Sequence, residues 1–238
     1  MAHALSPEND LTVSVTSYPA KKRFGLTRAG HLARMRRMNT PSFVSLPPDE
    51  PLRAVWPTPG REFARTRVNP DYGRPGWTRD CGRRFHRGCD IAPVHVTPTG
   101  RTTIVVFTDC ATGREYPSEE PTFIPHDEVF CACDGIVVEA VGDETVSDFG
   151  RHVVVEHRWP RCGEKFYTLY GHLAELVVGH PRSLISAGQC IGRMGQTSRS
   201  ADARNWMLIA PHLHFEVRDA AGRPYNPAEF LRRYTVPA

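Results

Sequence analysis

Nowhere does the sequence approach the roughly eighteen consecutive apolar residues that a membrane-spanning helix requires, so no transmembrane segment is expected. Residues 1–50 also lack the apolar run of a secretory leader, because Pro, Arg, Lys and Asp interrupt them throughout. No stretch repeats at a fixed period, which argues against solenoids and propellers. Charge of one sign is scarce as well. Lys plus Arg number 30 against 26 Asp plus Glu, a net +4 at pH 7, which is the balance of an ordinary solvated surface. The one arginine-rich run, LTRAGHLARMRRM at residues 26–38, has no interleaved aromatics. It reads as a peripheral helix with Leu26, Leu32 and Met35 on one side, and no nucleic-acid partner is expected.

What is present is the composition of a globular protein: 238 residues, 40% hydrophobic and 24% charged, enough for one well-buried domain with additional arms or loops. The 21 prolines imply many loops. Seven cysteines (Cys81, Cys89, Cys110, Cys131, Cys133, Cys162 and Cys190) are many for a reducing compartment. They suggest disulfides and an extracytoplasmic setting, with the odd count leaving at least one thiol unpaired. The leaderless N-terminus points the other way.

Residues 1–55 read as a polar, mostly irregular arm closed by the Pro-rich linker SFVSLPPDEP. From Val55 onwards short β-like runs alternate with Gly, Pro and Asp, the texture of a β-dominated domain. Strands are expected at 103–108, 135–141, 152–157, 165–173, 190–194 and 212–218. Segments 97–127 and 197–211 read as insertions or exposed loops.

Three histidine motifs carry candidate chemistry. In PHLHFEVR (211–218) strict alternation puts His212, His214 and Glu216 on one strand face and Leu213, Phe215 and Val217 on the other. The apolar face suits a core. The two imidazoles are then neighbours on the opposite face, with Glu216 beside them as a residue that can orient one. In RFHRGCDI (84–91), His86 and Asp90 stand four apart around Gly88, whose freedom lets the backbone turn. Zinc accepts imidazole nitrogen and carboxylate oxygen, and catalytic sites typically combine three protein ligands with a water. His86, Asp90 and one histidine of the H-x-H supply that set. In FYTLYGHL (166–173), Tyr170 and His172 share a strand face. Tyr170 there either stabilises an oxyanion or packs against the sheet. The C-x-C of Cys131 and Cys133 reads as buried thiols or a disulfide rather than a second metal site, because no second ligand pair follows at zinc-finger spacing. His3, His31, His95, His126, His152, His157 and His180 have no comparable context and read as structural or exposed.

The elements WPTPG (56–60), HRGCD (86–90), CDGIVVEA (133–140), FGRHVVVEH (149–157), YTLYGHL (167–173), AGQCIGRMGQT (187–197), PHLHFEVR (211–218) and YNP (225–227) follow in an order that resembles the LytM/lysostaphin-type zinc metallopeptidases, the M23 peptidase family. The resemblance spans about residues 56–230, with an insertion near 97–127 and a tail at 231–238. It implies a mainly β fold, an antiparallel sheet of barrel-sandwich-hybrid type with an open active-site groove. It also implies one Zn2+ per chain on His86, Asp90 and His214, with His172 and His212 catalytic. The implied reaction is hydrolysis of peptide bonds in peptidoglycan cross-links or stem peptides, outside the cytoplasm. The sequence departs from the family pattern in the long segment 94–133 and in the loop 195–211, which contains Trp206. Both departures bear on substrate preference.

Two rival readings belong to other classes. A non-catalytic LytM-like module that binds cell wall or regulates a partner hydrolase is expected to lack metal ligands, and here all three are present. A lipoyl-type carrier needs a modifiable lysine, and none follows Lys165.

Overall fold

The computed structural model describes residues 40–64, 71–79, 82–92, 94–97, 100–103, 106–109, 114–117, 127–200 and 211–235, with the backbone alone for those between 94 and 117. In chain order the strands are β1 (Glu62–Phe63), β2 (Gly76–Arg79), β3 (Arg84–His86), β4 (Cys89–Ala92), β5 (Val94–Thr97), β6 (Gly100–Thr103), β7 (Val106–Asp109), β8 (Arg114–Pro117), β9 (Glu128–Phe130), β10 (Gly135–Val141), β11 (Arg151–Arg158), β12 (Lys165–Leu176), β13 (Leu184–Ile185), β14 (Cys190–Met194), β15 (Leu213–Asp219) and β16 (Pro224–Tyr225). Helix α1 (Pro227–Tyr234) follows. The described chain is thus mainly β.

Ten strands form one sheet along the path β1-β4-β15-β12-β11-β10-β13, with β14 joining β12 to β9 and β16 flanking β15. Their pairings are antiparallel. The sequence explains which strands are central. β11 carries Val153, Val154 and Val155 in an unbroken buried run, as a strand covered on both faces does. β15 alternates, sending Leu213, Phe215 and Val217 into the core and leaving the other face for polar groups.

The core is built around Trp159, which stacks on Phe166 at 4.2 Å and is met edge-on by Tyr225 and Phe230. Helix α1 buries Pro227, Phe230, Leu231 and Tyr234, the i, i+3, i+4, i+7 spacing of one helical face. Asn226 caps it by accepting from the backbone N–H groups of Ala228 and Glu229 at 3.0 and 3.1 Å, with Pro227 in the first turn where its missing N–H costs nothing.

Residues 41–238 cluster as one unit. Val44 bridges Tyr225, Ala54 bridges Thr235, and Leu46, Ala54, Leu231 and Tyr234 are core residues. The Pro-rich linker therefore lies along the domain, where its extended backbone pairs with the C-terminal segment. Glu50 ties it further by accepting from the N–H groups of Arg161 and Cys162. The expected 97–127 insertion overlaps two hairpins, β5–β6, which begins at Val94, and β7–β8, each a two-stranded sheet. The arginine-rich segment 26–38, Trp206 and most of the 197–211 loop lie outside the described residues.

The five described cysteines, Cys89, Cys131, Cys133, Cys162 and Cys190, are all free thiols, so the expected disulfides do not form among them. Cys131 instead donates to its neighbour's carbonyl, Cys133 O, at 3.1 Å. Burial pushes its thiol up to about 11, which disfavours a thiolate ligand. No helix among the described residues is long and apolar enough to cross a membrane.

Candidate metal centre

Sheet register brings the first two site residues together. On β15, His214 lies directly opposite Asp90 of β4, between Leu213↔Ile91 and Phe215↔Cys89. Its Nδ1 stands 3.0 Å from Asp90 Oδ1. The chain turns sharply between β3 and β4, and this folds His86 back so that its Nε2 lies 3.4 Å from His214 Nδ1 and 3.3 Å from Asp90 Oδ1. Among the described residues these three side chains form the cluster that can hold a metal ion, with donor atoms all within 4.8 Å of one another.

The outward atoms of the cluster fix the inward ones. Arg74 O can only accept, so the 3.0 Å contact from His86 Nδ1 assigns the proton to Nδ1 and leaves a lone pair on Nε2. The carboxylate of Glu216, 3.0 Å from His214 Nε2, holds that nitrogen from the outside, while Asp90 Oδ1 stands 3.0 Å from Nδ1 on the inside. Burial, which acts first, opposes ionisation of Glu216. Its hydrogen bond and electrostatic attraction to His214, and then to Arg218 2.7 Å away, outweigh this and lower it to about 2. His86 is held well below its ordinary pKa by burial, then by the charge of Arg79 and by His214, so it is neutral near pH 7. Two imidazole nitrogens and a carboxylate oxygen therefore face one another in a buried pit, a donor set that fits zinc. His86 is 6%, Asp90 3% and His214 9% exposed.

Gly88 serves the site differently from the sequence expectation. Its φ is not positive. A Cβ there would stand 2.6 and 2.7 Å from His214 Cε1 and Nε2 and 2.8 Å from Phe215 O, so the missing side chain makes room for the His214 ring.

His172 joins through an unusual backbone. Its φ of 62° is left-handed, and this breaks the alternation of β12 one residue past Gly171, which sits opposite His214. The sequence reading that puts Tyr170 and His172 on one face is therefore corrected. The His172 ring lies 4.8 Å from that of His212 and 5.8 Å from that of His214. Tyr170 instead packs on Phe215 in the core, its hydroxyl accepting from Ala132 N at 2.7 Å and from Thr168 Oγ1 at 3.0 Å. Thr197 O accepts from His172 Nδ1 at 2.8 Å, leaving the Nε2 lone pair. Burial, then His212 and His214, hold His172 well below its ordinary pKa. His212 reaches the cluster from the other side, its Nε2 3.6 Å from Asp90 Oδ2, while its backbone N–H donates to Gly195 O.

Of the other described histidines, His152 donates to Gly150 O and meets Glu139, and His157 is enclosed between Asp134 O and Thr168 Oγ1. The sequence reading did not single out several residues that shape the site. Arg79 pairs with Asp90 Oδ2. Phe149 packs its ring 5.4 Å from that of His214. Thr197 ends the AGQCIGRMGQT element, which was the available signal for it. Arg79 had none, being one arginine in a run of five between residues 74 and 87.

Residues 122–227 match the model of Peptidase family M23, a segment that includes His172, His212, His214 and Glu216 and begins after His86 and Asp90. No curated protein matches the sequence. Among solved structures the chain is similar to the catalytic domain of the antimicrobial peptidase lysostaphin from Staphylococcus simulans (20% identity over 68% of this chain and 90% of that one, TM-score 0.41). It is also similar to the SpoIIIAH–SpoIIQ complex (19%, 75% and 99%, TM-score 0.45). A zinc-containing peptidase from Vibrio cholerae matches at 27% identity over 50% of this chain and 32% of that one, with a TM-score of 0.34. Residues 122–227 are thus a segment similar to Peptidase family M23.

Proposed function

We propose that the protein is a zinc-dependent endopeptidase that hydrolyses peptide bonds of peptidoglycan, in cross-links or stem peptides, outside the cytoplasm. One observation carries the reading. The inward atoms of His86, Asp90 and His214 lie within 3.0 to 3.4 Å of one another, while the far nitrogens of both imidazoles are already bonded. With their outer nitrogens so engaged, both imidazoles turn a nitrogen towards the carboxylate oxygen, and the three atoms converge as a donor set that suits one shared cation.

One zinc ion per chain would be held by His86 Nε2, Asp90 Oδ1 and His214 Nδ1, and when bound it would act as a Lewis acid on water and on the scissile carbonyl. The protein's own groups do the rest. His172 is neutral near pH 7, and with Nδ1 donating to Thr197 O its Nε2 is set to take the proton of the attacking water. His212, whose ring stands 4.8 Å from that of His172, is placed to donate to the developing oxyanion. Either histidine can then return a proton to the leaving amine. Glu216 keeps the His214 ring oriented, and Arg218 keeps Glu216 ionised.

The test is digestion of purified peptidoglycans of defined cross-link type by the zinc-loaded protein, with mass analysis of the fragments. Cleaved peptide bonds are expected, and none after chelation. Zinc uptake without cleavage of any wall would favour a binding module instead.

A further inference from the structure

Within this proposed zinc site, we infer that Arg79 is a positioning residue: its guanidinium holds Oδ2 of Asp90, so that the carboxylate presents Oδ1 alone to the ion.

A carboxylate can bind a cation through one oxygen or both, and the choice changes the coordination number and the charge felt at the open position. In this chain the two oxygens of Asp90 have different neighbours. Oδ1 faces Nε2 of His86 and Nδ1 of His214. Oδ2 is bonded to Arg79 Nη2, with His212 Nε2 standing 3.6 Å away. Arg79 and Asp90 are 6% and 3% exposed, so this contact is shielded from water and from salt.

The guanidinium is itself anchored. Its central carbon lies 3.8 Å from the centre of the Tyr72 ring, a cation–π contact that fixes the plane of the fork. Its strand, β2, pairs with β3 so that Arg79 lies opposite Arg84, two residues before the ligand His86. Arg79 Nη2 is also 3.4 Å from His86 Nε2. At that length the contact is weak beside the ion pair, so the Asp90 oxygen is the group Arg79 chiefly controls.

An arginine cannot become a ligand, because its guanidinium stays protonated at any pH the fold survives. It can only orient one. The second negative group of the site, Glu216, is already matched by Arg218, which leaves Asp90 as the partner for which the buried Arg79 charge is placed.

The experiment compares the full chain with Arg79→Met and Arg79→Lys. Zinc affinity is read by competition with a chromogenic chelator, and the coordination sphere by the visible spectrum after cobalt substitution. Loss of an outer partner of this kind typically weakens metal binding about 10–100-fold. Arg79→Met is expected to do so and to weaken the cobalt band as Oδ2 joins the ion, whereas Arg79→Lys restores most of the affinity. Unchanged affinity and spectrum in Arg79→Met overturn the inference while leaving the zinc site standing. Absence of zinc uptake by the unaltered chain overturns both. A zinc-loaded crystal structure of the unaltered chain decides the matter should Arg79→Met fail to fold: one Asp90 oxygen on zinc and the other on Arg79 supports the inference, and both on zinc overturns it.

Discussion

Among the described residues, the buried histidines around His157 and those around His86 and His214 form two networks, and the second is built like a ligand site. In the core, His157 bonds Asp134 O through Nδ1 and Thr168 Oγ1 through Nε2, and the chain of contacts runs on to Tyr170 and Cys131. Every ring nitrogen is closed. At the junction of β4 and β15, the outward nitrogens of His86 and His214 are closed in the same way, but their inward nitrogens meet each other and a carboxylate. Burial lowers His157 to about 4 and holds His86 well below its ordinary value too. Depressed basicity is therefore shared by both networks and marks neither. The difference lies in what faces the last lone pair.

The largest expected effect separates the two networks by metal content. His214→Ala should reduce zinc from about one ion per chain to almost none, whereas His157→Gln should keep it; metal analysis of both purified variants is the check. A folded His157→Gln protein without zinc would break the comparison. Next comes the division within the site. His172→Ala should retain zinc and lose turnover by about 10²–10⁴-fold, measured on whichever wall peptide the unaltered protein cleaves. Gly88→Ala should weaken zinc binding on the order of 10–100-fold, because its methyl would meet the His214 ring; an unchanged chelator titration would show that the ring can move aside.

A smaller effect concerns acid. The folded pKa of His157 lies below its unfolded value, so the unfolded chain binds the extra proton first. Its contribution is present above about pH 6.5 and is lost as pH falls towards about 4. The loss amounts to roughly 3 kcal/mol, at about 1.4 kcal/mol per pH unit. Urea unfolding of the metal-free protein at a series of pH values should show that slope, flattened in His157→Gln. The smallest effect tests the backbone. At φ 62° glycine is favoured over alanine by about 1 kcal/mol, so His172→Gly should unfold at higher urea than His172→Ala, and the reverse order would remove the left-handed conformation from the account.

Much of this site was legible in the sequence because strands encode faces by alternation. Leu213, Phe215 and Val217 predict the core side of β15, and His212, His214 and Glu216 are left on the other. The expected strand at 190–194 matches β14 (Cys190–Met194), and that at 135–141 matches β10 (Gly135–Val141). Where alternation fails, so does the reading. A single left-handed residue, His172, places it on the face opposite Tyr170, and no local pattern announces it. Helix α1 went unseen because two turns are too few for a helical period to emerge, although Asn226-Pro227 is a cap signal. The packing of residues 44–54 along the C-terminal segment is a long-range pairing, invisible to any local window. Arg79 finds Asp90 through the β2–β3 hairpin, and its partner depends on how that hairpin closes.

The most direct test of the account is the zinc content of the 238-residue chain after chelation and titration with Zn2+ near pH 7, unaltered and as His86→Ala, Asp90→Ala and His214→Ala. The account predicts about one tightly held ion per chain, lost in all three variants while circular dichroism shows the sheet intact. An unaltered chain that takes up no zinc, or three folded variants that still hold it, would contradict the account.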